Sequence, residues 1–350
     1  MSLGPLMIDL PGTSLSALDR EVLSHPLVGS VILFTRNYRD PEQLAALTAA
    51  IHAVRSPSLL VAVDHEGGRV QRFRDGFTRL PAARALGRGL AEDRRTTLAG
   101  VQAAGWLMAA ELRAVGVDFS FAPCVDLDYG VSEVIGDRAF HQDPDEVAAL
   151  AVAYLLGMRE AGMAATAKHF PGHCAVVADS HVALPVDRRT YAELEPDLRP
   201  YRVLINNHVA AIMAAHVVFP DVDRLPASLS ARWIGEILRG QLDFHGCVFA
   251  DDLTMGGAAA FGDVTTRARL AYAAGCDVLP ICNDRAAVIT VLDRFNPKAM
   301  NPASQARLVR MRGRGDAPAD LRASPRWQEA AAVVAALSAP PPLVLTEERR

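Results

Sequence analysis

The residues with the most chemical capacity in this chain fall in one short stretch. Lys168-His169-Phe170-Pro171-Gly172-His173, followed by Asp179-Ser180-His181, gathers three histidines, a lysine and an aspartate. The Pro-Gly pair stops any regular helix or strand from running through, so the segment reads as a loop. Directly before it, Met163–Ala167 reads as a buried strand. Titratable groups just past the C-terminal end of a core strand are where α/β enzymes place their chemistry. The pattern repeats: Asp64 follows Leu59–Val63, His216 follows Ala210–Ala215, and Asp251-Asp252 follows Cys247–Ala250. Neighbouring side chains of an extended segment point to opposite faces, so only one of Asp251 and Asp252 can face a ligand. Periodicity does not say which.

One chemistry these residues could do is metal-assisted hydrolysis, with ligands drawn from His169, His173, Asp179, His181 and His216. Pro171 and Gly172 prevent His169 and His173 from sharing a helical face, and no His-Glu-x-x-His pattern is present. No metal is therefore expected. No Gly-x-Gly-x-x-Gly turn follows the first strand-like run, and no cofactor is expected either.

The elements that must hold these groups can be read from apolar runs. They lie at Leu6–Leu10, Gly29–Phe34, Leu59–Val63, Val117–Ala122, Ala164–Ala167, Ala210–Ala215, Cys247–Ala250 and Cys276–Ile281. Runs without polar alternation are what strands buried on both faces look like. Helix-like stretches separate them: Pro41–Val54, Arg95–Val115, Asp145–Ala161, Tyr191–Asn207, Ser230–Leu238 and Val264–Ala274. The alternation predicts an α/β fold, a single-domain (β/α)8 TIM-type barrel over residues 1–340 with a C-terminal helix at Ser324–Leu337. The Pro-rich end leaves 341–350 as a frayed tail.

Composition narrows the partners. Half of the 350 residues are hydrophobic and the net charge is −4, which offers no basic field for nucleic acid or an anionic membrane. No run of about 18 apolar residues marks a membrane span, and the N-terminus lacks a signal-peptide pattern. Five cysteines form no Cys-x-x-Cys pair, which fits a reduced, cytoplasmic setting.

Five blocks, in order, resemble the β-N-acetylglucosaminidases of glycoside hydrolase family 3. They are Asp64–Arg72, Phe121–Pro123 with Asp126, Ile135–Phe140, Lys168–His173 with Asp179–His181, and Phe249–Met255. The resemblance implies a retaining, bacterial enzyme that removes non-reducing β-linked N-acetylglucosamine from muropeptide fragments (GlcNAc-1,6-anhydro-MurNAc) during peptidoglycan recycling. It implies a monomer whose partner is that small carbohydrate. It assigns the nucleophile to Asp251, leaving Asp252 as a supporting carboxylate, and the acid/base to His181 held by Asp179. An imidazole titrates near neutral pH, so one group can give and then take the proton. By the same resemblance Asp64, Arg72, Arg138, Lys168 and His169 bind the sugar. His216 is expected at the pocket floor or, equally, as a core histidine, and Glu66-Gly67-Gly68 is expected to shape a turn.

The chain departs from the family at Cys174, where Gly is expected, and at His65, where Gln is commoner. These changes bear on loop motion and fine specificity. The alternatives are a related β-glucosidase or β-xylosidase, or a non-catalytic sugar-binding barrel. The former usually carry a Glu acid/base on an added domain, for which this chain leaves no room. The latter has no use for both Asp251 and the Asp179/His181 pair.

Overall fold

The computed structural model describes residues 2–132, 134–173, 175–176, 184–297, 301–315 and 320–338. Eight parallel strands form the centre: β1 Leu6–Asp9, β2 Val28–Leu33, β3 Leu60–Val63, β4 Phe119–Ser120, β5 Thr166–Phe170, β6 Ala211–Ala214, β7 Cys247–Ala250 and β8 Leu279–Ile281. Five of them pair in the order β8-β1-β2-β3-β4 and three in the order β5-β6-β7. Two bridges, Phe119↔Ala164 and Phe249↔Val278, join the two groups at both seams, so the sheet closes on itself. Closure removes every strand edge, and the expected (β/α)8 barrel is what the chain forms.

Each strand is followed by a helix that packs outside it: α1 Ala17–Ser24, α2 Pro41–His52, α3 Arg94–Ala114, α4 Pro144–Glu160, α5 Glu195–Asn206, α6 Arg232–Gln241 (a π-helix), α7 Val264–Ala274 and α8 Arg285–Arg294. Their starts are chemically marked. Asp40, Asp93, Asp143, Asp263 and Asp284 each cap a helix by accepting from first-turn amides, which satisfies donors a helix cannot satisfy itself. Two more helices follow, α9 Pro302–Arg310 and α10 Pro325–Ser338. The sequence reading includes α10 but not α1, α8 and α9, which span only 8, 10 and 9 residues. The 341–350 tail lies outside the described residues. Among those described, no helix is long and apolar enough to cross a membrane.

Phe119, Phe121 and Phe249 fill the barrel interior, with ring centroids 5.2–5.6 Å apart in edge-on and tilted contacts. All three are buried, and each aromatic contributes roughly 1.5–3 kcal/mol by leaving water. They plug the barrel. Phe121 is also the floor of the cavity above.

Candidate active site

A cavity of about 610 Å³ opens at the C-terminal end of the strands, lined among others by Asp64, Arg72, Phe121, Arg138, Lys168, His169, His173, Asp251 and Asp252. The strands explain the convergence. Asp64 directly follows β3, and Asp251 directly follows β7. Strand β5 runs further than expected, to Phe170, so Lys168 and His169 lie within it. Beside β6, Lys168 pairs with Met213 and Phe170 with Ala214, leaving His169 as one extra residue. Such a bulge re-aims side chains, and it lets two consecutive residues both line the cavity.

An ionic cluster forms one wall. Lys168 Nζ lies 2.7 Å from Asp64 Oδ1 and 2.6 Å from Glu66 Oε1. Arg138 clamps Glu66 with two donors, Nε and one terminal nitrogen, each at 2.8 Å, and Arg72 approaches Asp64 at 3.7 Å. Burial alone would raise both carboxyls. For Asp64 the charges of Lys168 and Arg72 outweigh it, and for Glu66 those of Arg138 and Lys168 do, so both are held below the usual carboxylate range. Burial likewise works against the Lys168 ammonium, but Asp64 and Glu66 raise its pKa above the ordinary value. The cluster is therefore fully ionised at neutral pH, with preset donors and acceptors facing the cavity.

The turn that delivers Glu66 needs its glycines. Gly67 has φ +110°, and a Cβ there would stand 2.4 Å from the Pro81 carbonyl oxygen. The expected turn is present, and Glu66 does more than shape it: its carboxylate holds both Arg138 and Lys168. Nothing in the sequence marks it, because its partners stand 72 and 102 positions away.

Asp126 organises a second group. Its Oδ2 accepts from His169 Nδ1 at 2.7 Å and from the His169 amide at 3.2 Å, and its Oδ1 accepts from the His173 amide at 2.9 Å. With Nδ1 donating, His169 Nε2 is left toward the cavity side, 3.4 Å from Arg138. Burial first, and then the neighbouring His169, push the His173 pKa below its usual value, so that ring is neutral at pH 7. Cys124 Sγ donates to Asp126 Oδ2 at 3.3 Å. Among the described residues Cys124, Asp126 and His169 form the one trio whose ligand atoms all lie within 4.8 Å of one another. Those atoms already satisfy each other through these hydrogen bonds.

The two aspartates after β7 are set apart by their contacts. Asp252 is turned into the backbone: Oδ1 accepts from the Thr254 and Cys282 amides at 3.0 and 3.1 Å, and Oδ2 from the Thr254 hydroxyl at 2.9 Å. Burial pushes its pKa up to about 6 against those hydrogen bonds. Asp251 borders the cavity, with its amide donating to the Ala214 carbonyl at 3.1 Å and its Oδ1 accepting from the Asp252 amide at 2.9 Å. Both aspartates line the cavity rather than one, because the chain turns after β7 and ends the alternation of an extended strand.

His216 is placed as a core histidine. It is fully buried and does not line the cavity. Its Nε2 faces the Asp252 carbonyl at 2.9 Å and its Nδ1 the Ser228 hydroxyl at 2.5 Å. Burial lowers its pKa, so the neutral ring donates through Nε2 and accepts through Nδ1, and neither nitrogen is left for a ligand. The expectation of a sugar-binding His216 is corrected by this geometry. His65 is also buried; its ring packs 5.7 Å from Phe73 and from Phe77, and burial pushes it down to about 3. This departure from the family sits in an aromatic cluster and not in the cavity. Asp179, His181 and Cys174 lie outside the described residues.

Comparison with known proteins agrees with this architecture. Residues 7–311 match the glycosyl hydrolase family 3 N terminal domain. A beta-hexosaminidase of Thioalkalivibrio sulfidiphilus is 54% identical over 97% of this chain and 98% of its own. One from Aromatoleum aromaticum is 52% identical, over 96% and 95% respectively. The crystal structure of NagZ from Neisseria gonorrhoeae in complex with N-trifluoroacetyl-D-glucosamine superposes with a TM-score of 0.92 at 43% identity, covering 97% of this chain and 99% of that one. With this match spanning the barrel and its charged mouth, the chain belongs to glycosyl hydrolase family 3, a family of glycoside hydrolases.

Proposed function

We propose that the protein is a retaining exo-β-N-acetylglucosaminidase that cleaves terminal β-GlcNAc from muropeptide fragments, GlcNAc-1,6-anhydro-MurNAc among them, as a monomer in the bacterial cytoplasm. The observation that carries this reading is Asp251 at the end of β7, on the wall of a cavity that also holds the Asp64–Lys168–Glu66–Arg138 cluster. The near full-length likeness to beta-hexosaminidases and to an N-acylglucosamine-bound NagZ supports the choice of sugar.

In this reading Asp64, Arg72, Arg138, Lys168 and His169 hold the hydroxyls of the non-reducing sugar. An Asp251 oxygen attacks the anomeric carbon as the bond to the departing oxygen breaks, and His181, oriented by Asp179, protonates that oxygen. Water then attacks the glycosyl–Asp251 ester, and His181 takes its proton, which releases the sugar with retained configuration. Asp252 and His216 keep the Asp251 turn in place. No metal or cofactor takes part.

A panel of aryl β-glycosides tests the substrate class. Turnover of the β-GlcNAc glycoside should exceed that of the glucoside, xyloside and GalNAc analogues, and chelator should leave it unchanged. Preference for the glucoside or xyloside, or loss of activity with chelator, would overturn the reading. The acid/base assignment is tested by leaving group. His181→Ala should lose roughly 10²–10⁴-fold on disaccharides and much less in the glycosylation of nitrophenyl substrates. Equal losses on both would make His181 a binding residue instead.

A further inference from the structure

The opposite end of the barrel carries a second cavity, of about 690 Å³, beneath the N-terminal ends of β5, β6 and β7. Its floor is apolar, built from Leu155, Met163, Ile205, Val209, Leu242 and Phe244, and its rim carries Arg159, Arg310, Arg312 and Arg314 against one carboxylate, Asp243. Asp243 already faces His245 Nε2 at 2.9 Å. A chain of net charge −4 thus concentrates cations around one apolar basin.

Two of the four arginines are committed to the scaffold. Arg159 donates to the carbonyls of Asn207 and His208 at the end of α5, and Arg312 to the carbonyl of Ser58. Among the described residues no carboxylate or carbonyl pairs with the guanidinium of Arg310 or Arg314. Arg314 is nonetheless fixed at its backbone: its amide donates to the Gly162 carbonyl at 2.8 Å, and a Cβ on Gly162 would stand 2.0 Å from the Arg314 carbonyl oxygen. The rim is therefore anchored, and among the described residues its two forked donors carry no protein acceptor, so both suit an anion.

We propose that this basin binds a small organic anion, a phosphate or carboxylate group on an apolar body, with Arg310 and Arg314 on the anionic group and the Leu242–Phe244 side on the body. Its volume falls within the usual range for small-molecule sites, about 300–1,000 Å³. The site is separate from the mouth, with the Phe119–Phe121–Phe249 plug between the two.

Calorimetric titration with 2-naphthyl phosphate tests the proposal on the full chain. It should bind on the order of tenfold or more tighter than either 2-naphthol or inorganic phosphate, and more weakly as salt is raised. The Arg310→Ala/Arg314→Ala double variant should lose on the order of tenfold per arginine, the usual size of one charge-assisted hydrogen bond, while hydrolysing an aryl β-GlcNAc glycoside at the wild-type rate. Saturating N-acetylglucosamine should leave the binding unchanged. Equal affinity for naphthol and naphthyl phosphate, wild-type affinity in the double variant, or displacement by the sugar would each overturn it.

Discussion

The two ends of this barrel use their aspartates in opposite ways. At the N-terminal end Asp118 precedes β4 and Asp277 precedes β8, 2% and 1% exposed. Asp277 accepts from the Val248 amide at 2.9 Å, from Arg239 at 2.8 Å, from Arg307 at 3.0 Å and from the Ser304 hydroxyl. Asp118 accepts from the Val61 amide at 2.8 Å and the Gly313 amide at 3.0 Å, and faces His52 Nε2 at 3.1 Å. These contacts staple α9 and the chain after it to the barrel. Every oxygen is occupied by protein. At the C-terminal end Asp64 and Asp251 are half-buried and border a cavity, with Lys168 and Arg72 against Asp64 on its wall. A buried charge is thus no sign of function by itself. What separates the two ends is whether the charge faces the fold or a ligand.

The sharpest way to break that comparison is to remove one aspartate from each end. Asp251→Asn should cost turnover on the order of 10⁶-fold, the scale of losing a catalytic nucleophile, with the urea unfolding midpoint unmoved. Asp277→Ala should do the reverse. It leaves Arg239 and Arg307 without their carboxylate and should cost roughly 3–5 kcal/mol of stability, while activity per folded molecule at 25 °C stays at the wild-type value. A stability loss in the first variant, or a turnover loss in the second, would erase the distinction.

Asp252 stands between the two classes, and its titration sharpens the boundary. Its folded pKa is about 6 against an ordinary 3.8. The folded state holds the proton longer, so this group's stabilising contribution is full below about pH 4 and is lost as pH rises through 6. Asp252→Asn should lack that decline. The wild type should fall relative to the variant by roughly 2–3 kcal/mol between pH 4 and 7, read from urea unfolding at each pH. A difference that stays flat over that range would place the Asp252 carboxyl in ordinary solvent-like surroundings.

How much of this was legible follows the same line. Asp64 and Asp251 directly follow apolar runs, and that order can be read from sequence, as can the eight strands themselves, because barrel strands are buried on both faces and lack polar alternation. Asp118 and Asp277 fall inside the runs Val117–Ala122 and Cys276–Ile281, and only the structure, which starts β4 at Phe119 and β8 at Leu279, puts them before their strands. The β5 bulge could not be read, since it exists only as a register difference against β6. Nor could the hub role of Glu66 or the closed hydrogen bonding of His216, both of which depend on partners brought in by tertiary packing. A histidine after a strand looks the same in sequence whether its ring meets a cavity or a serine.

The most direct test is to trap the covalent intermediate. Incubation with a 5-fluoro-N-acetylglucosaminyl fluoride should inactivate the enzyme stoichiometrically, and fragmentation of the peptide spanning β7 should place the added sugar mass on Asp251. A label on Asp252, or hydrolysis with inverted anomeric configuration and no labelled carboxylate, would contradict the assignment of Asp251 as the nucleophile of a retaining mechanism.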